Sequence, residues 1–228
     1  MHLRMTGPAV SGLQHVFLTD WYFVAHRIVN DACYYPECAP AAGRPAGDVV
    51  QIVTTDPVDR WPDIMYGLTW IIQNARRYLY IQTPYFMPTE PVLQALQTAA
   101  LSGVDVRLMV PVKPYGFWLR WANDSYFKDV LSAGIRVFTY APGFLHSKAL
   151  VADDDWCTVG STNMDFRSFE NNFEANAFIY GRDTALRVKA IFERDLASCT
   201  EVHLDDWRRR PVRRRLLESF TRVFSPLL

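Results

Sequence analysis

The chain has 228 residues, 50% of them apolar, which is enough to build a substantial hydrophobic core in one domain of moderate size. Its 24 Lys and Arg balance its 24 Asp and Glu, so the formal net charge is zero. A protein that tracks a polyanion needs a basic surface, so no nucleic-acid partner is expected. No apolar run reaches the length of about 18 residues that a bilayer-spanning helix requires.

The first 48 residues contain one predicted helix and one predicted loop. Residues 4–7 are predicted to belong to a strand. Ser11–His26 shows the apolar repeat of an amphipathic helix. Cys33–Asp48 combines three Pro and two Gly with small residues, which predicts a loop or linker.

Beyond this loop, predicted strands alternate with predicted helices. The strands are Val49–Thr54, Tyr78–Thr83, Val104–Val110 and Ile135–Tyr140, and the helices are Ile64–Ala75, Glu90–Ser102 and Tyr126–Ala133. Gly103 and Gly134 directly follow two of the helices, where a glycine commonly ends a helix. This order predicts an α/β fold with a sheet flanked by helices on both faces.

The residues with the most chemical content lie between positions 146 and 163, which read H-x-K-x4-D-x6-G-S-x-N. Gly143–Ala152 is predicted to be a buried strand. His146 and Lys148 would share one face of it, because side chains alternate along a strand. Asp153-Asp154-Asp155 then predicts a tight turn into an antiparallel strand, Trp156–Val159.

This set of side chains suits an attack on a phosphodiester without a metal. His146 can bond to phosphorus or transfer a proton to the leaving oxygen. Lys148 supplies positive charge for the phosphoryl oxygens, and Ser161 and Asn163 supply hydrogen-bond donors. Asp153 either takes part in the chemistry or braces the turn. No cofactor and no metal are expected, since the sequence has no glycine-rich phosphate loop and consecutive aspartates are typical of a solvated turn.

The motif and its flanks resemble the phospholipase D superfamily, in particular the second catalytic half of the bacterial cardiolipin synthases. The segments that carry the resemblance are Thr83–Pro88, Gly103–Arg107, Tyr140–Lys148, Val159–Glu174 and Ser225–Leu228. The resemblance implies a phospholipase D-like sheet. It also implies that the carboxylate of Glu174 holds the imidazole of His146 and so fixes one tautomer. The alternative for Glu174 is an ordinary solvated carboxylate at the end of a strand.

Members of this superfamily pair two such motifs at one site, whereas this sequence contains one. The four other histidines, none with a Lys two residues later, are His2, His15, His26 and His203. The resemblance therefore implies the C-terminal half of a longer enzyme. Residues 1–48 would be a remnant of the preceding half plus a linker, and residues 49–228 the second catalytic domain with a basic C-terminal helix. His146 would act as acid and base, and the missing half or a second copy of the chain would supply the other His.

The resemblance also implies a function. It is phosphatidyl transfer between two phosphatidylglycerol molecules, which gives cardiolipin and glycerol through a phosphohistidine intermediate. The partners would be phosphatidylglycerol and other anionic phospholipids at a membrane surface, the cytoplasmic face of the bacterial membrane. Two alternatives stay open. They are a homodimeric phosphodiesterase or nuclease of the same superfamily, and a non-catalytic module that binds anionic lipids.

Two further segments could contact lipid. Residues 207–215 contain six Arg, which an anionic membrane surface would attract. Beyond them, one apolar helical face is formed by Val212, Leu216, Phe220, Val223, Phe224 and Leu227. The alternative is a helix that docks on the domain with a solvated Arg face. The aromatic residues Phe117, Trp118 and Trp121 are predicted to lie either in a loop near a lipid entrance or in the core.

Overall fold

The computed structural model describes residues 1–35, 47–114 and 116–227. In chain order its elements are α1 (Ala9–Ala25), β1 (Val49–Thr55), α2 (Asp63–Asn74), β2 (Tyr78–Gln82), β3 (Phe86–Met87), α3 (Glu90–Leu101), β4 (Asp105–Pro111), α4 (Phe117–Ser125), α5 (Phe127–Ser132), β5 (Arg136–Tyr140), β6 (Ala149–Ala152), β7 (Trp156–Gly160), β8 (Met164–Asp165), α6 (Phe166–Glu170), β9 (Glu174–Tyr180), α7 (Arg182–Leu196), β10 (Cys199–Val202), α8 (Leu204–Arg208) and α9 (Val212–Arg222). Short 3₁₀ turns occupy Ala32–Tyr34 and Ser225–Leu227.

Eight strands form one mixed sheet in the order β1-β9-β7-β6-β2-β4-β5-β10. Strands β2, β4 and β5 run parallel, and the other neighbours in this sheet are antiparallel. The central strand β2 is buried along its whole length, as expected for a strand with both faces covered. Strands β3 and β8 form a separate parallel pair.

The core lies in two layers, one on each face of the sheet. Leu79 and Ile81 of β2 belong to a cluster that includes residues of α2, α3 and α5. Tyr78 and Tyr80 point to the opposite face and join residues of α7. This alternation along β2 places helices on both sides, so the predicted α/β fold is confirmed.

The predicted strand Gly143–Ala152 is wrong in its first part, because strand geometry begins only at Ala149. The neighbouring strands supply the reason. Ala149 pairs with Gln82, the last residue of β2, and with Val159 of β7. Strand β2 ends at Gln82 and β7 ends at Gly160, whose amide donates to the carbonyl of Lys148, so residues 143–147 have no strand residue opposite them. His146 and Lys148 therefore lie on a loop that leads into β6.

The acidic turn is confirmed. Ala152 pairs with Trp156 in the antiparallel β6–β7 hairpin, and the amide of Asp155 donates to the carbonyl of Ala152 at 3.1 Å. Asp153 and Asp154 have φ of 55° and 65°, the left-handed pair that a tight hairpin turn requires and that Asp tolerates well.

The helix predicted at Ser11–His26 is confirmed as α1 and packs on β1. A Cβ added at Gly12 would lie 2.9 Å from the side chain of Ile52, so the helix approaches the sheet closely. The prediction of a strand at residues 4–7 is wrong, because they pair with no strand of the described chain. Most of the predicted loop Cys33–Asp48 lies outside the described residues.

The aromatic segment near position 117 is the helix α4, which the sequence analysis missed. Phe117 and Trp118 are 62% and 54% exposed, so the prediction of core packing is wrong for both. The buried side of α4 is instead formed by Ala122, Asn123 and Asp124. Within the described ranges, no helix has both the length and the apolar composition needed to span a bilayer.

Candidate active site

His146 lies on the exposed loop between β5 and β6. Its imidazole stacks on the ring of Phe144, with centroids 5.3 Å apart and planes inclined by 28°. The ammonium of Lys148 donates to the His146 carbonyl at 3.1 Å and so fixes the backbone between the two residues. The prediction that His146 and Lys148 share a strand face is therefore wrong, and the two residues are joined instead by this contact within the loop.

The electrostatic setting lowers the pKa of both residues. Partial desolvation and then the nearby Lys148 ammonium lower the pKa of His146. The imidazole is therefore mostly neutral near pH 7 and can accept a proton. Desolvation also lowers the pKa of Lys148, although the carboxylates of Glu174 and Asp165 oppose this shift. Lys148 thus lies near two carboxylates whose negative charge stabilises its ammonium group.

Ser161 and Glu174 form the second part of the site. The Ser161 hydroxyl donates a short hydrogen bond to the Glu174 carboxylate and accepts one from the amide of Ala175 at 3.0 Å. Asn172 donates to the other carboxylate oxygen at 3.2 Å. The predicted contact between Glu174 and His146 does not occur among the described residues, because the imidazole turns toward Phe144 while Glu174 is held by its own loop.

Asn163 is held at the end of this loop by Asp165. The Asn163 side chain hydrogen-bonds to the Asp165 carboxylate, and its own buried carbonyl oxygen has no partner in the described structure. Asp165 also caps α6 by accepting from the amide of Ser168 at 2.8 Å. Burial raises the pKa of Asp165 against the opposing effect of these hydrogen bonds. Asn163 is therefore pre-positioned by a buried acid.

Gly160 allows the loop to approach β9 closely. A Cβ at this position would lie 1.9 Å from the side-chain oxygen of Asn176 and 2.5 Å from the backbone carbonyl of Ala175, which no larger residue tolerates. Asn176 in turn accepts from the amide of Thr162 at 3.3 Å and donates to Thr158 at 3.3 Å. The requirement for glycine in the motif therefore comes from packing between β7 and β9.

Asp153 lies apart from the other motif residues, at the opposite end of β6 from His146. At about 3.3 Å per residue, the four residues of β6 between them span roughly 13 Å. Its carboxylate accepts from the backbone amides of Arg76, Arg77 and Tyr78 at 2.6, 2.8 and 3.0 Å. The structure therefore places Asp153 as a brace between the hairpin and the start of β2.

Sequence reasoning missed three residues that shape the site, namely Phe144, Asp165 and Asn176. Asn176 lies two positions after Glu174, and a strand assignment for residues 174–180 would have placed both side chains on one face. Asp165 precedes a short helix in the pattern of an N-cap. Phe144 gave no signal beyond its closeness to His146.

Two cavities open beside these residues. One of about 470 Å³ is lined by the loop after β4 and the loop after β5, including Lys113, Pro114, Gly143 and Phe144. A second, of about 360 Å³, is lined by Ser161, Glu174 and residues of α1 and β1. Phe144 lines the first, largely apolar cavity and also stacks on His146, which does not itself line the cavity.

A family model described as the cardiolipin synthase, PLD-like domain, matches residues 68–196 and so covers the motif, the hairpin and Glu174. The chain belongs to this family. The resemblance inferred from the motif is therefore confirmed.

Curated relatives support the same assignment. Over 227 residues the chain is 40% identical to cardiolipin synthase 2 of Bacillus anthracis, and over 228 residues it is 41% identical to the major cardiolipin synthase of Bacillus subtilis. Both alignments cover 100% of this chain but only 44% and 47% of the relatives. The chain therefore spans about half the length of the curated relatives it matches.

Solved structures share the fold at low sequence identity. Nuc of Salmonella typhimurium, a phospholipase D family member, aligns with a TM-score of 0.59 at 17% identity and covers 69% of this chain and 99% of its own. The phosphatidylserine synthase of Haemophilus influenzae aligns with a TM-score of 0.64 at 16% identity, covering 81% of this chain and 49% of its own. The family fold of this chain is thus the phospholipase D fold.

Proposed function

We propose that this chain supplies one half of the active site of a cardiolipin-forming phosphatidyltransferase. The observation that carries the proposal is the cluster of His146, Lys148, Ser161, Asn163 and Glu174 at one end of the sheet, in a chain that belongs to the cardiolipin synthase family. The other half, with the second motif, comes from a further segment of the enzyme or from a second copy of the chain.

In the first step, the His of the other half attacks the phosphorus of phosphatidylglycerol. The bond between phosphorus and the glycerol oxygen breaks, and His146 donates a proton to that oxygen, so glycerol leaves. The phosphodiester anion beside the imidazole raises its pKa and favours the protonated acid needed here. The product of this step is a phosphatidyl-histidine on the other half.

In the second step, His146 is neutral and accepts the proton of a hydroxyl on a second phosphatidylglycerol. That hydroxyl attacks phosphorus, the bond from phosphorus to histidine breaks, and cardiolipin forms. Lys148 neutralises the phosphoryl oxygens, while Ser161 and Asn163 donate hydrogen bonds to them. Glu174 positions Ser161 and balances the charge of Lys148. Asp153 contributes by bracing the hairpin.

The substrates imply a place of action. Phosphatidylglycerol and other anionic phospholipids are held in a bilayer, so the site must face a membrane surface, which we assign to the cytoplasmic face of the bacterial membrane. The largely apolar cavity of about 470 Å³ lined by Phe144, the ring on which His146 stacks, supports a lipid substrate, since it can accept the apolar part of a diacylglycerol group.

The test uses the complete enzyme with His146→Ala, and His203→Ala as a matched control because His203 is also exposed. Loss of a general acid and base lowers turnover by about 10²–10⁴-fold. We expect that loss only for His146→Ala, with unchanged urea unfolding for both variants. Cardiolipin formed from labelled phosphatidylglycerol is the readout. Wild-type turnover by His146→Ala would contradict the proposal, and DNA or diester cleavage by a dimer of this chain alone would favour the nuclease alternative.

A further inference from the structure

Helix α9 turns its polar side toward the domain and its apolar side toward solvent, the reverse of an ordinary amphipathic helix on a protein surface. Its buried side chains are polar, with Glu218 and Thr221 only 3% and 1% exposed. Apart from the half-buried Leu217, its large apolar side chains face solvent and are, together with those of the turn that follows, between 41% and 77% exposed: Val212, Leu216, Phe220, Val223, Phe224 and Leu227. The alternative of a helix docked through its apolar face is therefore wrong, although its solvated Arg side chains are observed at Arg208, Arg209, Arg213 and Arg215.

Ion pairs hold the helix in this orientation. Arg214 bonds to Asp124 of α4 at 2.9 Å and to Glu218 at 3.0 Å, and Arg210 also bonds to Glu218. Arg222 bonds to Asp129 of α5 at 2.6 Å. Ion pairs with α4 and α5 thus hold the polar side of α9 against the domain. The six apolar residues remain exposed to water, which is unfavourable, although the rings of Phe220 and Phe224 contact each other with centroids 5.2 Å apart.

Exposed cations border this apolar face. At about 100° per residue, Arg213 and Arg215 project on opposite flanks of the stripe that carries Val212 and Leu216. An apolar stripe between basic flanks is the pattern of helices that lie in the interface of an anionic membrane. The one acid of α9, Glu218, is buried and paired, so it does not oppose such binding.

A basic cleft lies next to the same helix. It has a volume of about 250 Å³ and is lined by Lys128, Trp207, Arg208, Arg210 and Arg215. Arg210 is paired with Glu218, whereas the side chains of Lys128, Arg208 and Arg215 have no hydrogen-bond or ion-pair partner among the described residues. Three unpaired cations around one cleft form a site for a phosphate group. Exposed Asp205 and Asp206 of α8 reduce this positive charge only in part.

We infer that α9 and the basic cleft form a docking surface for an anionic phospholipid bilayer, distinct from the catalytic site. The apolar stripe enters the boundary between headgroups and acyl chains, and a lipid phosphate occupies the cleft. Charge complementarity favours this occupant, because a second copy of the same surface would bring like charges together. Nucleic acid would match the cations but not the six exposed apolar side chains. The inference rests on the proposed function for its lipid chemistry alone.

The first experiment measures sedimentation of the 228-residue chain with phosphatidylcholine vesicles, with and without phosphatidylglycerol. The charge variant is Arg208→Gln/Arg215→Gln, and its control is Arg182→Gln/Arg187→Gln, which removes the same charge from exposed positions of α7. We expect the charge variant to lose about thirtyfold in affinity for the anionic vesicles, as two basic residues near such a surface imply. The control should lose less than about twofold, which would reflect only non-local charge.

The second pair of variants tests the apolar stripe. Leu216→Ser/Phe220→Ser should weaken binding at least about tenfold, because two side chains no longer enter the membrane. The control Val58→Ser/Leu101→Ser changes residues that are 81% and 74% exposed elsewhere and should leave binding unchanged. All four positions are exposed, so circular dichroism should show folded chains.

The outcomes separate the docking surface from the catalytic proposal. His146→Ala should bind vesicles like the wild type even though it lowers turnover of the complete enzyme by about 10²–10⁴-fold. Equal binding by the α9 variants and their controls overturns the docking surface and leaves the catalytic proposal standing. Failure to bind anionic vesicles, combined with charge-dependent DNA binding through Arg208 and Arg215, also overturns it.

Discussion

Truncation of Asp153 tests whether this motif residue acts in folding or in chemistry. Asp153→Ala removes the acceptor of three backbone hydrogen bonds, from Arg76, Arg77 and Tyr78. A hydrogen bond to a charged group contributes about 1.5–3 kcal/mol. The three hydrogen bonds share one carboxylate, and water can replace some of them in the variant. We therefore expect the free energy of unfolding to fall by about 3–5 kcal/mol.

Urea unfolding of the chain, followed by tryptophan fluorescence, measures this change. The matched control is Asp155→Ala, because Asp155 is an exposed residue of the same turn and should change stability by less than about 0.5 kcal/mol. Turnover of the complete enzyme is measured at low temperature and normalised to the folded fraction. We expect near-normal normalised turnover for Asp153→Ala. A stable Asp153→Ala protein without turnover would refute the assignment of Asp153 as a brace.

Three further predictions concern the motif and its hairpin. Gly160→Ala should lower the free energy of unfolding by about 2 kcal/mol or more in urea, because its Cβ meets a backbone carbonyl at 2.5 Å, whereas Gly143→Ala, with nothing within 4 Å, should be neutral. Hydrogen bonds from Tyr78, Lys189 and Arg77 overcome desolvation and lower the pKa of Asp154 to about 2. Because this folded-state pKa lies below the unfolded value of 3.8, the stabilisation is present above pH 4 and is lost as the pH falls toward 2. Asp154→Asn should lower the free energy of unfolding by about 2 kcal/mol at pH 7 and reduce its fall between pH 4 and pH 2, as measured by urea unfolding. An unchanged fall would argue against the pairing of Asp154. Ser161→Ala should reduce turnover about 10²-fold with little loss of stability, and wild-type turnover would exclude a role for this hydroxyl.

Much of the fold could be predicted from the sequence because local signals agree with the tertiary contacts. Pro91 lies at the start of helix α3, Gly103 lies just beyond its end, and the apolar strand β4 follows. Apolar periodicity and helix-ending residues were therefore enough to predict both elements. The hairpin turn at Asp153 and Asp154 was predicted because few residue types accept positive φ. The same logic failed for residues 143–148, where strand formation depends on whether a neighbouring strand is present.

The tertiary structure separates Asp153 from the rest of the motif. The sequence by itself indicated the family, which the family model confirms, and predicted His146, Lys148, Ser161 and Asn163 as site residues, because chemistry with phosphate calls for such side chains. Spacing could not reveal that Asp153 binds amides 75 to 77 residues away, because that contact exists only once β2 and β6 pair.

The orientation of α9 also followed from the tertiary structure. The sequence determined that an amphipathic helix forms, because its apolar repeat is local. Which side faces the domain depends on distant partners. Asp124 and Asp129 capture Arg214 and Arg222, so the polar side is buried and the apolar side is left outward. A local sequence pattern defines the polar and apolar faces of a helix, whereas only the folded domain determines which of these faces is buried.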